Sequence, residues 1–169
     1  ATDFPYIILR PTGVYGPRDK DYYLMLQTVK SGLDVGAGFK AQHLTFIYAK
    51  DLVDAAFLGL KSDVKNKGYF VADGDVHTDK EYKGLVKKVL DKKHILSLKG
   101  PLWLLKVISV IAESISKSTK KPSTLNRDKY KIMKQRNWEC DIEPLKKDLG
   151  FAPKYNLQKG LEESVAWYR

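Results

Sequence analysis

Apolar positions along this chain fall into two patterns. Short runs closed off by prolines or glycines, "PYIILRP" and "KGYFVADGD", are too brief for helices and predict strands. The first carries Tyr6, Ile7, Ile8 and Leu9 without a polar break, which predicts burial on both faces as in a parallel sheet, and Pro11 ends it. Longer stretches space their apolar residues three and four apart and predict helices. "DYYLMLQTVKSG" is stopped by Gly32, and "HLTFIYAKDLVDAAFLGLKS" passes from an extended piece into a helix near Lys50. "HTDKEYKGLVKKVLDKK" has Thr78 as N-cap and Tyr82, Leu85, Val86 and Val89 on one side. Strand, loop, helix, short strand, helix, strand, helix is the alternation of an α/β protein.

After residue 92 the pattern changes, which predicts a first region of strands and helices over residues 1–92 and a mostly helical one over 93–169. "HILSL" is a short strand, "GPLWLLKVISVIAESISKS" a helix with Pro101 near its start, and "KSTKKPST" an exposed basic loop. "NRDKYKIMKQRNW" holds a short helix. The tail "DIEPLKKDLGFAPKYNLQKGLEESVAWYR" gives a helix closed by Gly150 and a last helix with Leu161, Val165 and Tyr168 along one side.

At 169 residues and 43% hydrophobic, the chain can bury a core. The formal charge of +10 raises nucleic acid and anionic membranes as partners, but the lysines are spread along the length and no aromatics interleave the densest clusters. Solvated helix faces are the simpler expectation, with neither nucleic acid nor membrane as partner. The apolar run from Pro101 is broken by Lys106 and Glu113 and falls short of a membrane span. A lone Cys140 and the lack of a signal-like start imply a reducing, cytoplasmic setting.

Local chemistry offers no catalytic centre. "GAGFKA" (Gly36 to Ala41) matches a dinucleotide fingerprint but leads into an extended stretch, not a helix, and reads as a glycine turn. The pairs Tyr130/Lys134 and Tyr155/Lys159 have the Tyr-x-x-x-Lys spacing of an acid catalyst, a spacing expected once or twice by chance among ten tyrosines and many lysines. His43, His77 and His94 stand far apart, and no metal site is expected.

Four blocks in one order, "YIILRPTGVYGPRD", "LTFIYAKDLVDAAFLGL", "KGYFVADGD" and "DIEPLKKDLGFAPKYNLQKGLEESVAWYR", resemble the C-terminal half of the extended short-chain dehydrogenases/reductases, the NAD-dependent epimerases, dehydratases and reductases. The resemblance covers nearly the whole chain. It implies an α/β fold, the C-terminal part of a Rossmann-like NAD(P)-binding fold plus a small substrate-binding region. The parent would bind NAD or NADP and act on a carbinol or carbonyl substrate. The glycine loop and the catalytic Tyr-x-x-x-Lys would lie upstream of Ala1, so this fragment would be inactive, bind no cofactor alone, and pair as a homodimer through the exposed edge of "YIILR". A stand-alone, non-catalytic binding module derived from the family is the alternative.

Residue by residue, the resemblance implies that Pro11, Thr12, Gly13 and Val14 run along the nicotinamide ring of the cofactor, with Gly13 allowing close backbone approach. It implies that Tyr15 and Arg18 face or close the substrate cavity; a buried tyrosine and a solvated arginine are the structural alternatives. Asp51 resembles an acid that caps backbone N–H groups at a helix start. Sugar-nucleotide members of the family carry an arginine two residues before the phenylalanine of "LTFIY", where it can grip a diphosphate. Here that position is Leu44, with His43 beside it as a weak substitute, so a less charged ligand is implied, of the kind used by the dihydroflavonol-reductase-like and 3β-hydroxysteroid-dehydrogenase-like branches. "PLWLLKVISVIAES" resembles the apolar helix of those branches, which either lines a pocket or packs on its neighbours.

Overall fold

The computed structural model describes residues 4–119 and 126–168. Its elements run β1 (Ile7–Pro11), β2 (Gly13–Tyr15), α1 (Lys20–Lys30), β3 (Leu33–Ala37), β4 (His43–Leu44), β5 (Phe46–Tyr48), α2 (Ala49–Lys61) and β6 (Lys67–Val71). They continue with β7 (His77–Thr78), α3 (Asp79–Val89), β8 (Leu96–Gly100), α4 (Leu102–Thr119), α5 (Arg127–Lys134), α6 (Glu143–Leu149) and α7 (Leu157–Trp167). The alternation expected from the hydrophobic pattern is present. Most of the basic "KSTKKPST" loop lies outside the described residues.

Strand β1 pairs in parallel with β6, Ile7 opposite Lys67 and Pro11 opposite Val71. At Thr12 the chain changes partner: β2 pairs in parallel with β5, Gly13 opposite Phe46 and Tyr15 opposite Tyr48. The change is anchored by Thr12, whose backbone N–H donates to Val71 O (3.1 Å), and by Asp73, whose N–H donates to Phe46 O (2.7 Å). Two smaller pairs stand beside these, β3 with β8 in parallel and β4 with β7 antiparallel. "GAGFKA" therefore begins inside strand β3, with Gly36 opposite Lys99, and turns only at Gly38, in place of the turn expected throughout.

Period-two alternation on β2 and β5 divides the core. Tyr15, Phe46 and Tyr48 point into one cluster with Leu26 and Val29 of α1, Tyr82 and Val86 of α3, and Leu157, Leu161 and Val165 of α7. Val14 and Ile47 point the other way, onto Ala55 of α2, Leu145 and Leu149 of α6, and Tyr69 and Val71 of β6. Helices thus cover both faces of the β2–β5 pair. The strand β1, expected to be buried on both faces, is covered on one. Ile7 and Leu9 pack into the second cluster, whereas Ile8 and the neighbouring Phe70 are about half exposed, because no described element lies against that side.

Local signals explain the helix ends. Thr78 caps α3 as expected and does so in a reciprocal box: its hydroxyl accepts from Glu81 N–H (3.2 Å) while Glu81 accepts from Thr78 N–H (2.7 Å). Gly150 closes α6 in the left-handed conformation, φ 65°. Helices α6 and α7, which the sequence places in the second region, pack into the two core clusters with residues of the first.

Candidate functional site

The exchange of pairing partners at Thr12 opens a crevice at the carboxyl ends of β1 and β6, the position where open α/β sheets bind ligands. A cavity of about 590 Å³ lies there. Pro11, Thr12 and Gly13 form one wall; Leu44, Thr45 and Phe46 form the floor; Ile132, Met133 and Trp138 close the far side.

The far wall comes from nearly 100 residues away in sequence and is held by backbone contacts. His43 N–H donates to Arg136 O (2.8 Å) and Trp138 N–H donates to His43 O (2.9 Å), a short parallel bridge between the two segments. The Arg136 guanidinium donates to the carbonyls of Ala37 (3.2 Å), Lys40 (3.3 Å) and Met133 (2.6 Å), and Thr45 Oγ1 donates to Trp138 O (2.6 Å). An arginine satisfying several carbonyls acts here as a strap, not as a ligand for an anion.

The expected site residues divide. Pro11, Thr12 and Gly13 line the cavity, but Val14 does not: alternation turns it into the second core cluster. Gly13 leaves no space for a side chain, since a Cβ there would collide with the Tyr22 hydroxyl and press on the Phe46 ring. Its close approach is to these two rings. Tyr15 lies outside the cavity wall, 2% exposed, its ring edge-on to Tyr22, Phe46 and Tyr48 and its hydroxyl directed at Asn156 O and Leu157 O (3.4 and 3.5 Å). Arg18 is exposed in the β2–α1 turn at φ 70°, away from the cavity. His43 is half exposed beside Glu139, Nδ1 to Oε1 3.2 Å, while its neighbours Gln42 and Leu44 line the cavity.

Asp51 is fully buried near the start of α2, yet the N–H groups it caps belong to another segment: Lys154 (3.1 and 3.2 Å) and Tyr155 (2.9 Å), in the link between α6 and α7. Its role is structural, as expected, and long-range. Tyr155 leans on the Tyr48 ring with Lys159 over its face, and neither Tyr-x-x-x-Lys pair lines the cavity.

Several lining residues escaped the sequence reading: Phe46, Tyr82, Trp138 and Cys140 among them. The Phe46 and Tyr82 rings stack at 4.8 Å, and the Tyr82 hydroxyl contacts Met25 Sδ at 3.2 Å. Burial pushes the phenols of Tyr22 and Tyr82 well above their ordinary range, so both stay neutral and act as walls and hydrogen-bond donors, not bases. Burial likewise raises the Cys140 thiol, 4.0 Å from Thr45 Oγ1, which disfavours the reactive thiolate.

Charge in the wall is mostly spent on internal pairs. Lys83 Nζ lies 2.6 Å from Asp34, which also accepts from the Ser97 hydroxyl (3.0 Å), and Lys99 lies 3.5 Å from Asp79. Arg10 is the one cation lining the cavity that makes no ion pair among the described residues. Such a wall suits a ligand that is apolar over most of its surface with few charges.

No protein-family model matches the chain. Among curated proteins it is similar to the sterol-4-alpha-carboxylate 3-dehydrogenase (decarboxylating) of Saccharomyces cerevisiae, 25% identical over 181 residues that span 99% of this chain and 50% of the yeast protein. Among solved structures it is similar to UDP-glucose 4-epimerase from Thermotoga maritima, with a TM-score of 0.73 and 20% identity over 98% of this chain and 46% of the epimerase. The dTDP-glucose 4,6-dehydratase of Bacillus anthracis, solved with NAD, gives 0.67 and 19% over 96% of this chain and 44% of the dehydratase. The chain spans about half the length of the relatives it matches. Its resemblance to the extended short-chain dehydrogenases/reductases thus holds along the whole chain, and its fold is that of the C-terminal half of their epimerases and dehydratases.

Proposed function

We propose that this chain supplies the substrate-side wall of an NAD(P)-dependent enzyme that oxidises or reduces a carbinol or carbonyl on a largely apolar substrate. The observation that carries this reading is the composition of the cavity wall. Leu44 stands where a diphosphate-gripping arginine is expected in sugar-nucleotide enzymes, and Lys83 and Lys99 are both paired with acids. A nucleoside diphosphate would find one unpaired cation there, Arg10. A flat apolar molecule would find Leu44, Phe46, Trp138 and Met133. The yeast relative, by its name, acts on a sterol carboxylate, and such a substrate would use the same division, with its carboxylate near Arg10 and its rings against the apolar wall.

In this reading Pro11, Thr12 and Gly13 run along the nicotinamide ring. The fit is partial: Thr12 spends its N–H and its hydroxyl on Val71 O, which leaves apolar packing against the ring in place of hydrogen bonds. No glycine loop leading into a helix N-terminus occurs among the described residues to hold a pyrophosphate, so this chain alone binds the dinucleotide weakly or not at all. When bound, the dinucleotide supplies the hydride acceptor or donor. The residues here orient the substrate and exclude water from it. Val14, Tyr15 and His43 act at one remove, as supports of the wall, and Arg18 stands apart from it. A cytoplasmic setting and pairing of the free edge of β1 with another strand belong to the same reading.

Trp138 makes the reading testable in the isolated chain. Titration with a 3-hydroxysterol should shift tryptophan emission saturably; Trp138→Phe should remove the shift, and Leu44→Glu should weaken binding at least roughly tenfold by putting a charge against the apolar ligand. Tighter binding of UDP-glucose than of the sterol would contradict the substrate class.

A further inference from the structure

Helix α4 is mounted with its more apolar side outward. Trp103, Leu104, Val107, Ile108, Ile111 and Ile115 follow one another at steps of one, three and four residues, which places them within about 140° of the helix circumference and along about 18 Å of its length. All six are exposed, Trp103 by 66%, Ile111 by 54% and Ile115 by 57%. The inward side is the more polar one. Ser109 is 0% exposed, and Glu113 accepts from the Arg127 backbone N–H (3.3 Å) and pairs with its guanidinium (3.5 Å) where α5 packs alongside. A helix that buries a serine and turns a partly exposed glutamate inward while exposing tryptophan and three isoleucines reverses the usual orientation of a surface helix, and a continuous apolar stripe of this size marks a contact surface.

Charge narrows the partner. From Gly100 to Arg136 the sequence holds nine basic residues against two acids, Glu113 and Asp128, so this part of the sequence carries most of the chain's formal +10. Lys117 and Lys131 pair with Glu113 (2.8 Å) and Asp128 (3.0 Å) one turn away, yet both side chains are about three-quarters exposed and can exchange those partners for headgroups. A second copy of the chain would bring the same positive excess and be repelled. An anionic lipid surface satisfies both features at once: acyl chains accept the stripe, and headgroups accept the lysines. No described helix is long and apolar enough to cross a membrane, so α4 would lie in the interface and not span it.

We infer that α4 docks the protein on an anionic bilayer, its apolar stripe from Trp103 to Ile115 set into the headgroup–acyl boundary. It runs against the expectation of purely solvated helix faces with no membrane partner. It does not depend on what the cavity binds, since the stripe and the cavity are tested by different ligands.

The test is flotation of the full chain with vesicles of phosphatidylcholine alone and of phosphatidylcholine mixed with phosphatidylserine. The expected result is binding to the mixed vesicles, weakened by added salt and reduced at least roughly tenfold by the double variant Ile111→Glu, Ile115→Glu. Both sites are more than half exposed, so thermal melting of the variant should match the parent chain and separate a lost surface from a lost fold. Absence of binding to the mixed vesicles, or binding that the double variant leaves unchanged, would overturn the inference. Equal binding to neutral and anionic vesicles would overturn its electrostatic part. Self-association in the absence of lipid that the variant abolishes would assign the stripe to a second copy instead.

Discussion

Asp51→Ala is expected to lower the unfolding free energy by about 3 kcal/mol, which for a domain of this size lowers the melting temperature by roughly 10 °C. The carboxylate is 1% exposed and accepts the backbone N–H groups of Lys154 and Tyr155, more than 100 residues away in sequence. Alanine would leave both donors without their acceptor in the interior and would untie the link between α6 and α7. That link positions Leu157 and Leu161 in one core cluster and Leu145 and Leu149 in the other, so loosening it is felt on both faces of the β2–β5 pair. Asp51→Asn, which keeps one acceptor oxygen, should lose less than alanine. Urea unfolding of the three proteins checks this, and an alanine variant within about 0.5 kcal/mol of the parent would show that Asp51 does not hold the link.

The second large effect depends on pH. Asp73 lies two residues beyond β6, beside the β5 strand, 9% exposed, with Oδ1 accepting from Asp75 N–H (3.2 Å) and Oδ2 making no hydrogen bond among the described residues. Burial pushes its carboxyl from an ordinary 3.8 to about 7; the charges of Asp75 and Asp51 act in the same direction, and backbone hydrogen bonds partly oppose it. A carboxyl whose folded pKa lies above its unfolded one is held protonated by the native state. Stability therefore falls as pH rises from about 4 to about 7, where the native state must give up that proton and bury a charge, and the effect levels off above. Asp73→Asn removes the penalty. It should be near neutral at pH 4 and stabilise the protein by on the order of 2 kcal/mol at pH 8. Unfolding curves of both proteins at the two pH values decide the matter: a variant equally destabilised at both would mean that Asp73 is held as a carboxylate.

Much of the fold could be read from the chain because its signals are local. Thr78 announces the α3 capping box, Gly150 the end of α6, and the unbroken "YIIL" the first strand. The site was less legible, for identifiable reasons. Alternation in "TGVY" tells that Val14 and Tyr15 face opposite ways, but which face opens into the cavity depends on the change of pairing from β6 to β5 at Thr12, a property of the sheet. Tyr15 accordingly went into the core and Val14 behind it. Trp138 reached the cavity through the backbone bridge to His43 and the Arg136 strap, neither of which leaves a periodic trace. Asp51 stood where a helix-start acid belongs, yet nothing near it in sequence pointed to Lys154 and Tyr155. The outward stripe of α4 was visible as an apolar helix, but its orientation followed only from the burial of Ser109.

The central claim, that this chain forms the substrate wall of a dinucleotide-dependent enzyme acting on an apolar carbinol or carbonyl, is tested most directly by turnover in the intact gene product that contains it. Incubated with NAD⁺ or NADP⁺, that protein should generate reduced nicotinamide absorbance from a 3-hydroxysterol bearing a carboxylate, with the rate lowered at least roughly tenfold by Leu44→Glu, and none from UDP-glucose or UDP-galactose. Epimerisation of either UDP-hexose, or no reaction of any carbinol with either dinucleotide, would contradict it.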